Sequence, residues 1–288
     1  MARAHLIRNT GRWTNNYYDD MAWLALALLR AQTAGVLQRP VAIRRLTDAI
    51  IGAWSDTEGG IPWRVGDDFR NTPANGPAAI LLARLGHLDR AQQTVDWIAE
   101  RLHDATTGLV LDGLHPGREI QRDFYTYCQG VVLGAETELA QRSDPERSER
   151  IQRRVKDLID AVRRELATDD VLIGHGGGNG GLFGGILARY LALVAVELPA
   201  TTGAGRQAAN NAATLLISSA GAAWENRCTI DGLPLFGADW NRPALIPVSR
   251  RPGRRTADGA EASSSPERDL SVQLGGWMLM EAAATLGG

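Results

Sequence analysis

The sequence predicts an all-α protein, a double-layered toroid of helical hairpins, on three observations. Helical periodicity dominates the chain, helices apolar nearly all round alternate with one-sided helices, and short linkers alternate with long ones. The first kind of helix must be buried on most sides, whereas the second faces solvent along one stripe. Strict alternation of the two along an antiparallel chain writes an inner and an outer layer.

In order, the buried kind is expected at 20 to 33 (Met21, Trp23, Leu24, Leu26, Leu28, Leu29) and the amphipathic kind at 40 to 54 (Ile43, Leu46, Ile50, Trp54). A buried helix follows at 74 to 86 (Ile80, Leu81, Leu82, Leu85), then an amphipathic one at 88 to 103 (Val95, Ile98, Leu102). The pattern repeats with 122 to 141 buried and 147 to 167 amphipathic, the latter carrying Ile151, Val155, Leu158, Ile159, Val162 and Leu166. It closes with 181 to 197 buried, 205 to 220 weakly amphipathic and 269 to 286 buried. Linkers after amphipathic helices are long and rich in Gly, Trp, Asp and Asn, as loops gathered at the mouth of a cleft are. The stretch 249 to 268 is poor in apolar residues and reads as a mobile loop. These nine helices fall short of the twelve that close six hairpins, so the toroid is expected to lack its first elements. A single domain is expected over 1–288.

Composition narrows the function. The chain has 288 residues, 44% hydrophobic, with a formal net charge of -2, the profile of a globular protein without a nucleic-acid arm or a polybasic anchor. Neither nucleic acid nor a membrane is expected as partner, since no run reaches the roughly 18 apolar residues of a membrane helix. Cys128 and Cys228 stand 100 positions apart without His or Cys at ligand spacing, so no metal is expected. The first ten residues hold no apolar signal core. As written the chain reads as cytoplasmic, although localisation stays open.

Chemistry is carried by Asp19 and Asp20, set in Tyr17-Tyr18-Asp19-Asp20-Met21-Ala22-Trp23. Paired aspartates at a helix start are mostly caps that meet orphan N–H groups and the positive dipole end. Here the helix they open reads as buried throughout, which turns both acids toward an interior or a cleft, where like charges are costly. Repulsion would raise one pKa and the helix terminus hold the other low. Retaining glycoside hydrolysis needs that split: one ionised nucleophile and one protonated acid, about 5 Å apart. Tyr17, Tyr18 and Trp23 beside the acids, and Trp63, Tyr125, Tyr127, Trp224 and Trp240 in or near long loops, are candidates to stack on sugar rings. Trp23 divides evenly between core and platform, Trp54 and Trp97 read as core, and Trp63 and Trp240, in loops beside Asp67, Asp68 and Asp239, are the better platform candidates.

The sequence resembles glycoside hydrolase family 76, the endo-α-1,6-mannanases. The resemblance runs through Tyr-Tyr-Asp-Asp-Met-Ala-Trp-Leu-Ala-Leu-Ala (17 to 27), Gly-Gly-Ile-Pro-Trp-Arg (59 to 64) and Asn-Thr-Pro-Ala-Asn-Gly-Pro-Ala (71 to 78). It continues through Tyr-Thr-Tyr-Cys-Gln-Gly-Val-Val-Leu-Gly (125 to 134), Leu-Phe-Gly-Gly-Ile-Leu-Ala-Arg-Tyr-Leu (182 to 191) and Asp-Leu-Ser-Val-Gln-Leu-Gly-Gly-Trp (269 to 277). It implies an (α/α)6 toroid, an α-1,6-linked mannan or manno-oligosaccharide substrate, Asp19 as nucleophile and Asp20 as general acid/base. It also implies cleft positions at Asn71, Asn75, Tyr127, Gln129 and Asp123, against which stand helix capping for the asparagines and core hydrogen bonding for Tyr127 and Gln129. Cys128 departs from the Asn more usual between Tyr and Gln in that family.

Rival readings are weaker or less direct. Gly176-Gly177-Gly178-Asn179-Gly180-Gly181 fits a dinucleotide pattern, but Val171-Leu172-Ile173 is the one strand-like lead and no parallel sheet is readable, so no cofactor is expected and a flexible cleft loop is. Trp23 stands where the metal-binding Asp-Asp-x-x-Asp motif needs a third acid. His5, His87, His103, His115 and His175 read as loop or surface residues. A mannan transglycosylase, or a catalytically impaired glycan-binding paralogue, remains as an alternative to hydrolysis.

Overall fold

The computed structural model describes residues 2–118, 122–247, 254–255, 261–262 and 264–287. Much of the expected 249–268 loop lies outside the described residues. Among those described, ten α-helices dominate: α1 (Ala2–Arg8), α2 (Tyr18–Thr33), α3 (Pro40–Gly52), α4 (Thr72–Arg84), α5 (Leu88–Arg101), α6 (Thr126–Ala140), α7 (Pro145–Glu165), α8 (Phe183–Glu197), α9 (Gly203–Glu225) and α10 (Leu270–Ala284). Short antiparallel pairs join them: β1 (Arg70–Asn71) with β2 (Gly113–Leu114), β3 (Ala167–Thr168) with β4 (Val171–Leu172), β5 (Cys228–Ile230) with β6 (Leu233–Leu235), and β7 (Arg254–Arg255) with β8 (Glu261–Ala262).

By its contacts the chain forms two compact units, residues 1–104 with 110–124 and residues 105–109 with 125–288. In the first, α2 packs on α3 and α4, and α4 on α5. In the second, α6 packs on α7 and α8, α7 on α9, and α8 and α9 on each other and on α10. The inner helices are as buried as their composition demands: α4 is buried from Thr72 to Ala83, and α6 at every position but Tyr127. The outer helices bury one stripe, such as Ala91, Thr94, Val95, Trp97 and Ile98 of α5. Helix starts follow local chemistry. Pro40, Pro73 and Pro145 occupy first-turn positions, where a missing N–H costs nothing, and Asn71, Asp144 and Thr202 accept capping N–H bonds. Backbones of α6 and α8 touch at Gly130, where a Cβ would stand 2.8 Å from Leu187 Cα.

Three expectations change. α6 begins at Thr126 rather than 122, leaving Asp123 in extended chain. α10 is not buried all round. It turns Val272, Gly275, Gly276, Leu279 and Ala282 inward and leaves Leu270, Leu274 and Trp277 exposed, because close packing selects its small residues. Finally, 178–197 is long and apolar enough to cross a membrane by length and composition alone; α8 packs on α6, α9 and α10.

Candidate functional site

The first unit builds its site on a ladder of short extended segments leading into α2. Tyr17, extended at φ -116° and ψ 121°, is the N-cap of α2 and bridges Arg64. Tyr18 N donates to Trp63 O (2.9 Å), Trp63 N to Phe69 O (2.7 Å), and Pro62 bridges Arg70, whose strand β1 pairs with β2. Both aspartates lie in the first turn of α2, at its second and third helical positions, while Tyr17 is the cap residue.

That placement makes the two acids unequal. Asp19 is half-buried and both its oxygens accept: Oδ1 from Asp20 N (2.8 Å) and Oδ2 from the Trp63 indole Nε1 (3.0 Å). Burial pushes its pKa above the usual carboxylate value, helped by the neighbouring Asp20 charge, while the two N–H donors pull it down. Asp20 is exposed and held through Oδ2 by Asn15 Nδ2 (2.8 Å). Asn15 Oδ1 in turn accepts Tyr17 N (3.0 Å), a local turn that fixes how the chain enters α2. The sequence expectation that α2 is buried throughout is corrected: Met21, Ala22, Ala25, Leu26 and Leu28 are buried, Trp23 and Leu24 half-buried, and Ala27 exposed.

Trp63 is fixed on three sides. Tyr17 meets it edge-on at 5.2 Å, the Arg64 guanidinium lies 5.4 Å from its ring centre, and Asp19 receives its N–H. Arg64 is held by Asp67 (Nε to Oδ2, 2.8 Å), whose carboxyl is pulled below its usual range by Phe69 N and by that guanidinium. Asp67, Asp68 and His115 bring ligand-type atoms within 4.8 Å of one another, but Asp67 is engaged by Arg64, and Asp68 by His115 (2.6 Å) and Arg118 (3.4 Å). The arrangement is an ion-pair network.

Other predicted positions separate into surface and core. Tyr18 is half-buried at the head of α2, and Asp123 is exposed on a cavity shared with Phe69, Asp112, His115 and Arg118. Asn71 and Asn75, expected at the cleft, are 3% and 0% exposed. Asn71 Oδ1 caps α4 through Ala74 N, whereas Asn75 clamps Ile61 through its N–H (2.7 Å) and carbonyl (2.8 Å) and also donates to Asn71 O. The Asn71 side chain is spent on the start of α4 and that of Asn75 on the backbone at Ile61, two residues before Trp63. In the second unit Gln129 is fully buried with Nε2 on Tyr125 O (3.0 Å), and Cys128 is buried beside it. Trp240, expected as a loop platform, is 7% exposed and lies over Gly184, where a Cβ would come within 2.8 Å of its ring. It is core.

Tyr127 is half-exposed in a cluster with Tyr125, His175 and Phe183, its ring 4.3 Å from that of Phe183. His175, expected as an ordinary loop or surface residue, accepts Thr126 N at the head of α6 (3.3 Å), and burial lowers its pKa, which favours the neutral form that can accept. The glycine-rich 176–181 segment is packed, with Gly178 N on Asp269 Oδ2 (2.8 Å), and the strand before it pairs antiparallel with β3. Sequence reasoning missed Asn15, Phe69, Arg118 and the role of His115; only the Asn-Asn doublet before Tyr17 carried a readable turn signal.

The first unit thus sets an aspartate pair in a helix's first turn, one acid half-buried and bonded to an indole and the other open. A model of glycosyl hydrolase family 76 matches residues 6–249. The solved α-1,6-mannanase GH76A of Salegentibacter sp. HEL1_6 is 30% identical, with TM-score 0.80 over 99% of this chain and 80% of that one. An inactive variant of that enzyme, with two consecutive aspartates changed to asparagine and α-1,6-mannotriose bound, is 30% identical, with TM-score 0.79 over 98% and 79%. The Lin0763 protein of Listeria innocua is 25% identical, with TM-score 0.76 over 98% and 76%. Among curated proteins no sequence matches. The chain belongs to glycosyl hydrolase family 76 and shares its helical fold of alternating inner and outer helices.

Proposed function

We propose that this chain is a retaining glycosidase that cleaves α-1,6-mannosidic bonds in mannan-type polysaccharides, with Asp19 as nucleophile and Asp20 as general acid/base. The observation that carries the reading is the unequal setting of the pair. Asp19, with an N–H donor on each oxygen, is organised as a carboxylate acceptor. Asp20, tethered at Oδ2 alone by Asn15, keeps an oxygen to protonate a leaving group. Asp19 attacks the anomeric carbon, the bond to O6 of the next sugar breaks, and that oxygen takes the Asp20 proton. Asp20 then removes a proton from water, which attacks the glycosyl ester and frees Asp19. The similar enzyme described as an α-1,6-mannanase, solved also as an inactive variant in complex with α-1,6-mannotriose, supports the choice of linkage.

Incubation with linear α-1,6-mannan tests the reading: reducing ends accumulate, and the first-formed product retains the α configuration by NMR. Elongated products would instead favour the transglycosylase, and binding without turnover the impaired paralogue. The acid side of the pH profile gives a second check. Asp19 must be ionised to attack and its pKa is raised, so activity is lost as pH falls through that raised value. Trp63→Phe removes a donor that favours the ionised form, and the acid limb of kcat/KM is expected to move to higher pH; a limb unchanged or moved downward would separate Trp63 from Asp19.

A further inference from the structure

The chain that leads into α2 is held from both sides before the helix begins. His5 Nε2 of α1 donates to Trp13 O (2.8 Å), Val65 N donates to Asn16 O (2.9 Å), and Tyr17 bridges Arg64. Asn15 stands half-buried between these anchors. Its side-chain oxygen accepts Tyr17 N (3.0 Å), and that bond settles which way the amide faces, because a backbone N–H can only donate. The NH2 end is thereby aimed at Asp20 Oδ2, 2.8 Å away. An amide NH2 also only donates, so Oδ2 must meet it without a proton. The acid form of Asp20 therefore carries its proton on Oδ1, the oxygen that the amide does not occupy.

We propose that Asn15 is the positioning residue of the general acid, holding Asp20 Oδ2 as a fixed acceptor so that both proton transfers pass through Oδ1; the inference rests on the glycosidase reading above. Asp20 is exposed, and the terminal torsion of an aspartate is broad and two-fold, so an untethered carboxyl there would exchange its oxygens and its direction. Catalysis needs the acid placed to within about 0.5 Å, which such freedom does not give. The turn at Asn15 supplies the constraint from outside the helix. In the first step the glycosidic bond breaks as Asp19 attacks, its electron pair goes to O6 of the leaving sugar, and the Oδ1 proton moves to that oxygen. The charge left on Asp20 is met by the amide N–H at Oδ2. In the second step water adds to the anomeric carbon, the electron pair of the ester bond returns to Asp19, and the water's proton moves to Oδ1. Asp20 ends each cycle as it began, with Oδ2 on the amide throughout.

Asn15→Ser tests the assignment, because its shorter hydroxyl can still accept Tyr17 N but cannot reach Asp20. Two substrates are compared by kcat/KM, which covers the steps through departure of the leaving group. One is α-1,6-mannotriose, whose leaving sugar needs a proton; the other is the dinitrophenyl α-glycoside of α-1,6-mannobiose, whose leaving group does not. The ratio of the first value to the second is expected to fall about tenfold or more, part of a general acid's usual worth of about 10^2- to 10^4-fold. A residue that only shaped the turn would also displace Asp19, in the same first turn of α2, and lower both values together. An equal loss on both substrates, or no loss on either, therefore overturns the positioning role and leaves the glycosidase reading intact. If the unaltered protein cleaves neither substrate, that reading fails and the role falls with it. Should circular dichroism show the serine variant unfolded, Asn15→Asp, which has the shape of the native residue and keeps an acceptor for Tyr17 N, replaces it in the same comparison with the same outcomes.

Discussion

Asp19→Asn is expected to lower kcat on α-1,6-mannan by about 10^4-fold or more, the scale of losing a covalent nucleophile. Asp20→Asn should lose about 10^2- to 10^4-fold, the usual worth of a general acid. The geometry makes the two losses distinguishable. An asparagine at 19 presents one acceptor to two donors, so its amide must face either the Trp63 indole or Asp20 N, and no ester to the sugar can form. An asparagine at 20 leaves Asp19 and its donors unchanged. With a mannosyl substrate carrying a good leaving group, the Asp20→Asn enzyme still forms the glycosyl ester, and added azide captures it with net retention. In Asp19→Ala, whose short side chain vacates the nucleophile's place, the small anion enters it and gives the inverted azide. Product configuration read by NMR therefore assigns each role. Inverted product from Asp20→Asn would reverse the assignment, and near-normal turnover by either variant would remove the pair from catalysis.

How much of this was legible in the sequence depends on what each residue type must do. The inner and outer helices were readable because burial and one-sided exposure write different periodicities: α4 and α6 are apolar because they are enclosed, and α5 and α7 alternate because one face meets water. The same logic failed at α10, since apolar composition fixes what a helix tolerates but not which face its glycines press inward. Trp240 misled for a related reason. Its place in a loop suggested exposure, yet contact with Gly184 puts it in the core.

In the site, an aspartate pair at a helix start would by itself have read as capping; Asp19, Asp20 and Trp63 were legible because the helix reads as buried and because their segments carry the family resemblance. Their pairing was not, because the bridge from Tyr17 to Arg64 spans 47 positions and leaves no periodic trace. Nor was the cause of the shift at Asp19: the sequence suggested charge repulsion and the helix end, whereas burial is the first cause of its rise and the Asp20 charge a smaller one. His115 and Arg118 were unreadable for the same reason, since their partner Asp68 stands 47 and 50 positions away.

Asn75 offers the largest expected effect on stability, and it separates two meanings of a polar residue beside a site. A ligand-contacting asparagine would, on truncation, raise KM and leave the fold unchanged. Asn75 is fully buried and spends its amide on Ile61 N, Ile61 O and Asn71 O. Asn75→Ala strands three buried backbone groups, at about 1 to 3 kcal/mol for each left unpaired, so a destabilisation of about 3 to 5 kcal/mol is expected. Asn71→Ala, which removes a helix cap, should cost only about 1 kcal/mol. Urea midpoints measured by circular dichroism give both values. Because Ile61 lies two residues before Trp63, the Asn75 change should also lower kcat below the urea transition by loosening the indole on Asp19. A normal midpoint with a raised KM would return Asn75 to the glycan and overturn its role as the clamp of the catalytic loop.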